Sequence, residues 1–177
     1  MKRFTILTAA VLFLGIASVA SAQTATGTLT VTATVNGSIS LVFNNDAAGV
    51  PLSSGAGTNT ATLAFGNVSA FGALAANVTR TVVAGTSFTV STPVDVLVTK
   101  ANSASANYTL KAQLGAADAV NTWGVGGTTV TSAAQATITA TGAYASNVPE
   151  AIALTVPFTT ASATVISNTI NFTATAN

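Results

Sequence analysis

The sequence predicts an all-β protein of about nine or ten short strands. Apolar and polar residues alternate over short runs, and these runs recur about every ten residues. Gly, Asn, Ser and Pro lie between the runs and mark turns. No part of the chain that follows the N-terminal apolar segment combines helical periodicity with helix-capping residues. Together these observations are typical of an antiparallel β-sandwich or barrel.

The longest alternating stretch covers residues 27–43 and carries its apolar side chains at odd positions. Thr and Ser fill most of the even positions, so the two sets lie on opposite faces of an extended chain. At about 3.3 Å per residue the stretch would be roughly 55 Å long, which indicates two segments joined near Asn36-Gly37. The odd apolar residues are Leu29, Val31, Ala33, Val35, Ile39, Leu41 and Phe43.

Asn36-Gly37 is also a strong hairpin signal. A two-residue hairpin would place Val35 opposite Ser38, however, and would turn the two apolar sets to opposite faces. The odd-numbered apolar residues before and after Asn36-Gly37 stay on one face only if the chain continues forward or bends here. Two interpretations follow. Residues 23–36 are an N-terminal arm that is donated to the sheet of another subunit, or the stretch is an ordinary first strand that bends between two sheets.

Residues 1–22 have the pattern of a secretory signal peptide. Lys2 and Arg3 form a basic start, residues 6–20 are mostly apolar, and Ala20-Ser21-Ala22 is a small-x-small cleavage site. Cleavage would leave a mature chain that begins at Gln23. We therefore expect an exported, extracellular protein with its folded domain at residues 37–177.

The later strands follow from the same alternation. Residues 44–59 are rich in turn formers and predict a loop, and residues 67–76 fit a short helical turn. Residues 115–127 predict a second long loop, which contains Trp123. Pro157 has no N–H for a ladder, so this part of its strand is expected at an edge or a bulge. The predicted strands are residues 60–66, 78–84, 87–91, 94–100, 107–114, 150–159 and 165–176, and residues 128–141 give one or two more.

Composition excludes several classes of function. Charged residues make up 5 % of the chain, against about 25 % in ordinary soluble domains. The mature chain would keep three basic residues, Arg80, Lys100 and Lys111, which are too few for a nucleic-acid surface. The chain has no His or Cys and its single Met is residue 1, so it lacks the commonest general base, thiol nucleophile and transition-metal ligands. We expect no enzymatic activity, no cofactor and no metal site.

Low charge also bears on association between molecules. A near-neutral surface lacks the repulsion that keeps proteins apart, and edge strands in monomers are usually protected by charge, proline or bulges. This chain has little charge for that purpose, and alternating runs lie at both ends of its predicted domain. The composition therefore favours a protein that tolerates close neighbours.

Two motifs resemble the spore coat protein U and fimbrial-subunit type of secreted domain. They are the strand ending Ala61-Thr-Leu-Ala-Phe-Gly66 and the strand Tyr108-Thr-Leu-Lys-Ala-Gln-Leu-Gly115. The similarity covers residues 23–115, and the chain differs from that family in having no cysteine. The resemblance implies an immunoglobulin-like β-sandwich that polymerises by donating its N-terminal strand to a neighbour.

The sequence thus predicts a structural subunit of an extracellular, pilus-like filament or surface coat. Its partners would be identical subunits, with a periplasmic chaperone or outer-membrane assembly protein as a further partner. The predicted donor residues are Leu29, Val31, Ala33 and Val35, and the predicted acceptor residues are Ile170 and Phe172.

Two alternatives remain at this point. One is a monomeric secreted adhesin or carbohydrate-binding module that stacks sugars on Trp123. The other is a small outer-membrane β-barrel. Aromatic residues are only 6 % of the chain and many predicted strands are short, so no membrane insertion is expected.

Overall fold

The computed structural model describes residues 26–177 and confirms the predicted all-β class. Nine strands form two antiparallel sheets, and no described residue lies in a helix, so none belongs to a helix that could cross a membrane. The predicted signal peptide at 1–22 and the first residues of the predicted arm, 23–25, lie outside the described residues. The strands are β1 (Ser38–Asn44), β2 (Thr79–Val83), β3 (Ser87–Ala101), β4 (Tyr108–Leu114), β5 (Thr122–Val125), β6 (Thr128–Val130), β7 (Ala136–Gly142), β8 (Asn147–Pro157) and β9 (Ile170–Ala176).

The chain divides into two units between Thr34 and Val35. In the described part of the first unit, residues 26–34, every residue is exposed and none belongs to a strand. The second unit contains all nine strands.

The larger sheet has six strands and is built on β3, which is 15 residues long. The strand order is β1-β3-β8-β5-β6, and β2 also pairs with β3. Strand β1 pairs with residues 95–101 of β3 and β2 with residues 87–91, so residues 92–94 lie in a gap between the two partners. The sequence predicted two strands here, but Pro93 lies inside one continuous strand. Proline is tolerated at this position because no ladder partner faces it from that side.

The backbone of Gly49 fills this gap. A Cβ atom at residue 49 would overlap the carbonyl oxygen of Pro93, so the close approach requires glycine. The next residue, Val50, donates its N–H to the buried Oγ1 of Thr92 over 2.8 Å. The loop after β1 is thereby attached to the middle of β3.

The smaller sheet has the order β7-β4-β9. Strand β4 alternates strictly between buried and half-buried residues, and its buried residues include Tyr108 and Leu110. They pack against Val96 and Val98 of β3, so the two sheets enclose a common core. Strands β7 and β9 are the edges of this sheet.

The three-stranded sheet is too small to cover the whole inner face of the six-stranded sheet. Two connecting segments cover the remaining part of that face. Residues 50–74 contribute half-buried apolar side chains such as Leu63 and Phe65, and Ile166 contributes from the segment before β9. This explains why residues 60–66 alternate without forming the predicted strand. Their apolar side chains pack on the core, but their one ladder contact with another described residue is an isolated bridge between Thr62 and Ser54.

Three further predictions about elements are corrected. Residues 67–76 form bends and turns rather than a helical turn, and the predicted last strand begins at Ile170 rather than at residue 165. The predicted loop at 115–127 contains strand β5, which pairs with the edge of β8 that β3 leaves free. Trp123 and Val125 of β5 point into the core. Pro157 lies at the end of β8, beyond Thr155, the last residue of β8 that pairs with β5.

Candidate strand-binding groove

A groove lies between an edge of the larger sheet and an edge of the smaller one. Strand β1 forms one wall, and the start of β9 forms the other. The groove has a volume of about 710 Å³, and the 57–61 segment borders it. Its wall residues are Ile39, Ser40, Leu41, Val42, Phe43, Thr169, Ile170, Asn171 and Phe172.

The backbone of β1 is open toward the groove. At Phe43 the N–H donates to the carbonyl of Thr58 over 2.8 Å, and the carbonyl accepts from the N–H of Gly57 over 2.7 Å, so both groups of Phe43 point away from β3. Backbone groups alternate in direction along a strand, and those of Ile39 and Leu41 therefore also point away from β3. Among residues 26–177, these two have no ladder partner on that side.

The backbone of β9 is open in the same way. Thr169 accepts from Gly115 over 2.7 Å and Asn177 donates to Asn107 over 3.0 Å, so the odd residues of this segment face β4. By alternation, the N–H and C=O groups of Ile170, Phe172 and Ala174 point toward the free edge. The groove therefore lies between two strand edges that both present unpaired backbone groups.

The floor of the groove is apolar. The rings of Phe43 and Phe172 meet there with centroids 5.2 Å apart. A cavity of about 140 Å³ adjoins the groove and is bordered by Leu63, Trp123 and Ile170, among other largely apolar residues. Its volume is close to that of an apolar cavity of about 150 Å³ that stays dry and binds benzene. The site thus has room for a large apolar side chain.

The structure brings the two predicted acceptor residues into this groove. Ile170 and Phe172 line it together with Phe43, which the sequence had not assigned to the site although it belongs to the same odd-phase run. Of the predicted donor residues, Leu29, Val31 and Val35 have exposed fractions of 86 %, 80 % and 72 %, and Ala33 is also exposed.

Trp123 lies in the core and not on the surface of a loop. Only 7 % of its surface is exposed, and its indole Nε1 donates to the carboxylate of Asp118 over 2.9 Å. Desolvation acts to raise the pKa of Asp118, but hydrogen bonds from Asn121, Trp123 and Val120 outweigh it and lower the pKa to about 2. The ring is therefore buried and held in place by this bond.

The described residues contain no group of three or more His, Cys, Asp or Glu side chains that could hold a metal ion. The buried carboxylate is Glu150, which is 5 % exposed and accepts a hydrogen bond from Thr139 Oγ1 over 3.3 Å. Burial raises the pKa of Glu150, and the bond from Thr139 opposes this effect. Gly126 and Ile138 lie beside its carboxylate, and Glu150 is not among the residues that line the groove.

Comparisons of the chain with protein-family models, with curated proteins and with solved structures found no match in any of the three.

Proposed function

We propose that this protein is a structural subunit that assembles into an extracellular filament or coat by strand donation. Residues 29–35 of one copy would enter the groove between β1 and β9 of the next. The observation that carries the proposal is the pair of facing strand edges, both with unpaired backbone groups, over an apolar floor.

The donor segment has the pattern that this groove accepts. In the proposed assembly an inserted strand would form hydrogen bonds with β1 on one side and β9 on the other, which is the arrangement of β-strand addition. Its side chains would then alternate between the floor and the solvent. Leu29, Val31, Ala33 and Val35 are spaced by two, and Thr residues lie between them. One face of the segment is therefore apolar and the other is polar.

Burial of this face would supply most of the free energy of assembly. Each large apolar side chain moved from water into the groove contributes about 1.5–3 kcal/mol. Leu29, Val31 and Val35 are the most favourable residues for such burial because they are largely exposed in the single chain. Hydrogen bonds to the two open edges would add to this and make dissociation slow.

The partners follow from the same geometry. Identical subunits carry both the donor segment and the groove, so a homopolymer needs no second component. Open strand edges beside an apolar floor are a template for unwanted pairing, and a periplasmic chaperone or outer-membrane assembly protein would protect them before assembly. The extracellular location rests on the predicted signal peptide.

Electron microscopy of two purified chains tests the proposal. One chain begins at Gln23 and the other at Ser38, which removes the donor segment and keeps all of β1. We expect filaments or extended assemblies from the first chain and single particles from the second. Addition of a synthetic peptide of residues 24–37 to the second chain should give a one-to-one complex. Single particles from both chains, together with no binding of the peptide, would refute the proposal.

A further inference from the structure

We propose that the loop at residues 55–59 closes one end of the groove and fixes the register of the donated strand. This inference rests on the proposed function and adds the element that decides which donor residue meets which acceptor residue. The loop lies at the Phe43 end of β1, where it forms an isolated antiparallel bridge between Phe43 and Thr58.

The donor pattern alone does not determine a register. A slip of one residue would turn the apolar side chains away from the groove, and the pattern excludes it. A slip of two residues leaves the same face inward, because Leu29, Val31, Ala33 and Val35 repeat with a period of two. A physical stop at one end of the groove would exclude these slipped arrangements.

The loop occupies the backbone groups that a slipped strand would need. Both outward groups of Phe43 are already bonded, the N–H to Thr58 over 2.8 Å and the C=O to Gly57 over 2.7 Å. Within the described part of the chain, the outward backbone groups of Ile39 and Leu41 are the ones that stay unpaired on β1. A donor strand that extended past Leu41 would have to displace the loop. The two hydrogen bonds between Phe43 and the loop would then break, which offsets the new bonds that the donor strand forms with Phe43.

The loop is also held in its shape by internal bonds. The Thr58 hydroxyl lies 2.8 Å from the carbonyl oxygen of Gly55 and 2.7 Å from that of Thr60, and its single hydrogen donates to one of them at a time. The Thr58 N–H donates to the Gly55 carbonyl over 3.0 Å. Gly55 has a φ of 75°, and a Cβ atom there would overlap the carbonyl oxygen of Thr60. The chain segments that enter and leave the loop are also joined, because the Ser53 N–H donates to the Thr62 carbonyl and the Thr62 N–H donates to the Ser54 carbonyl. Such a loop resists displacement.

Disulfide cross-linking of the full chain can read the register directly, since the protein has no cysteine of its own. Three double variants carry Asn171→Cys on the exposed face of β9. Each also carries one arm substitution, Thr30→Cys, Thr32→Cys or Thr34→Cys. After mild oxidation of the assembled protein, we expect one of the three pairs to give most of the covalent multimers.

Each pair is then placed in two backgrounds that weaken the loop, Thr58→Ala and Gly55→Ala. We expect part of the cross-linking to move to a pair two residues away. The matched controls are Thr86→Ala and Gly85→Ala in the β2–β3 turn, where Thr86 also bonds a nearby carbonyl and Gly85 has a similar φ of 72°. They should leave the pattern unchanged.

The outcomes separate the two proposals. Multimers whose dominant pair is the same in all backgrounds would overturn the role of the loop and leave strand donation in place. Absence of multimers from all three pairs, together with absence of filaments, would overturn strand donation itself and the role of the loop with it.

Discussion

The ring of Phe172 meets the ring of Phe43 edge to face, with centroids 5.2 Å apart and planes inclined at 69°. Phe43 belongs to β1 of the larger sheet and Phe172 to β9 of the smaller sheet. The contact therefore joins the two sheets at their adjacent edges. It also forms the floor on which the proposed donor strand would lie.

Val31→Asp should abolish assembly. The substitution would place a carboxylate against the apolar floor, where an unpaired charge is strongly unfavourable. Thr32→Asp adds the same charge one residue away, on the face that points to solvent, and should assemble normally. Sedimentation and negative-stain microscopy distinguish the two variants. Equal assembly of both would contradict the orientation that we assign to the arm.

Phe172→Ala should destabilise the monomer by about 2 kcal/mol. A fully buried phenylalanine costs about 3–5 kcal/mol when it is cut to alanine, and Phe172 is only half-buried. Urea unfolding in the Val31→Asp background measures the effect without interference from assembly. Asn171→Ala, at an exposed position beside it, is the control and should leave the urea midpoint within experimental error.

Gly142→Ala should be among the most harmful single-methyl additions in the chain. The ring of Tyr108, which is 1 % exposed, covers Gly142 from the paired strand, and a Cβ atom would overlap that ring. Overpacking of this kind costs about 1–3 kcal/mol. Thermal unfolding measures it. At Gly124 the nearest atom to an added Cβ is 3.5 Å away, so Gly124→Ala should be tolerated.

Glu150→Gln should stabilise the protein at neutral pH. Burial raises the pKa of Glu150 above the unfolded value of about 4.3. The folded state therefore holds its proton more tightly, and the free energy of unfolding falls as the pH rises through the folded pKa. Gln has a similar shape and no charge, so this decline should disappear. Unfolding midpoints at several pH values from about 4 upward, the side of the unfolded value on which a raised carboxyl pKa acts, provide the check.

Asp118→Asn should lower the stability at neutral pH, because Asp118 gives the wild type a pH dependence opposite in sign to that of Glu150. The pKa of Asp118 is about 2, below the unfolded value of about 3.9, so its contribution to stability is complete above pH 4 and is lost as the pH falls toward 2. The variant weakens the bond to Trp123, the only tryptophan. The fluorescence emission of Trp123 in the variant should shift to longer wavelength at neutral pH, and we expect the wild-type emission to shift in the same direction near pH 2. An unchanged spectrum would contradict the role of this bond.

Much of the fold could be predicted from alternation, because alternation records which side chains leave water. Residues 107–114 were predicted as a strand from their alternation, and the four apolar residues of that alternation, Tyr108, Leu110, Ala112 and Leu114, are all buried. Where an extended segment packs on the core without a neighbour, the same signal misleads. Residues 60–66 alternate like a strand, yet they cover the core as a connecting segment.

The sequence by itself determined the all-β class, the inward faces of the long strands and the apolar face of residues 29–35, since each depends only on spacing along the chain. The tertiary structure decided what lies next to what. It placed β1 beside β9 although about 130 residues separate them along the chain. It also determined that Phe43 lines the groove and that Trp123 is buried in the core. Backbone pairing between distant strands depends on how the whole chain closes its sheets, and no local pattern encodes it.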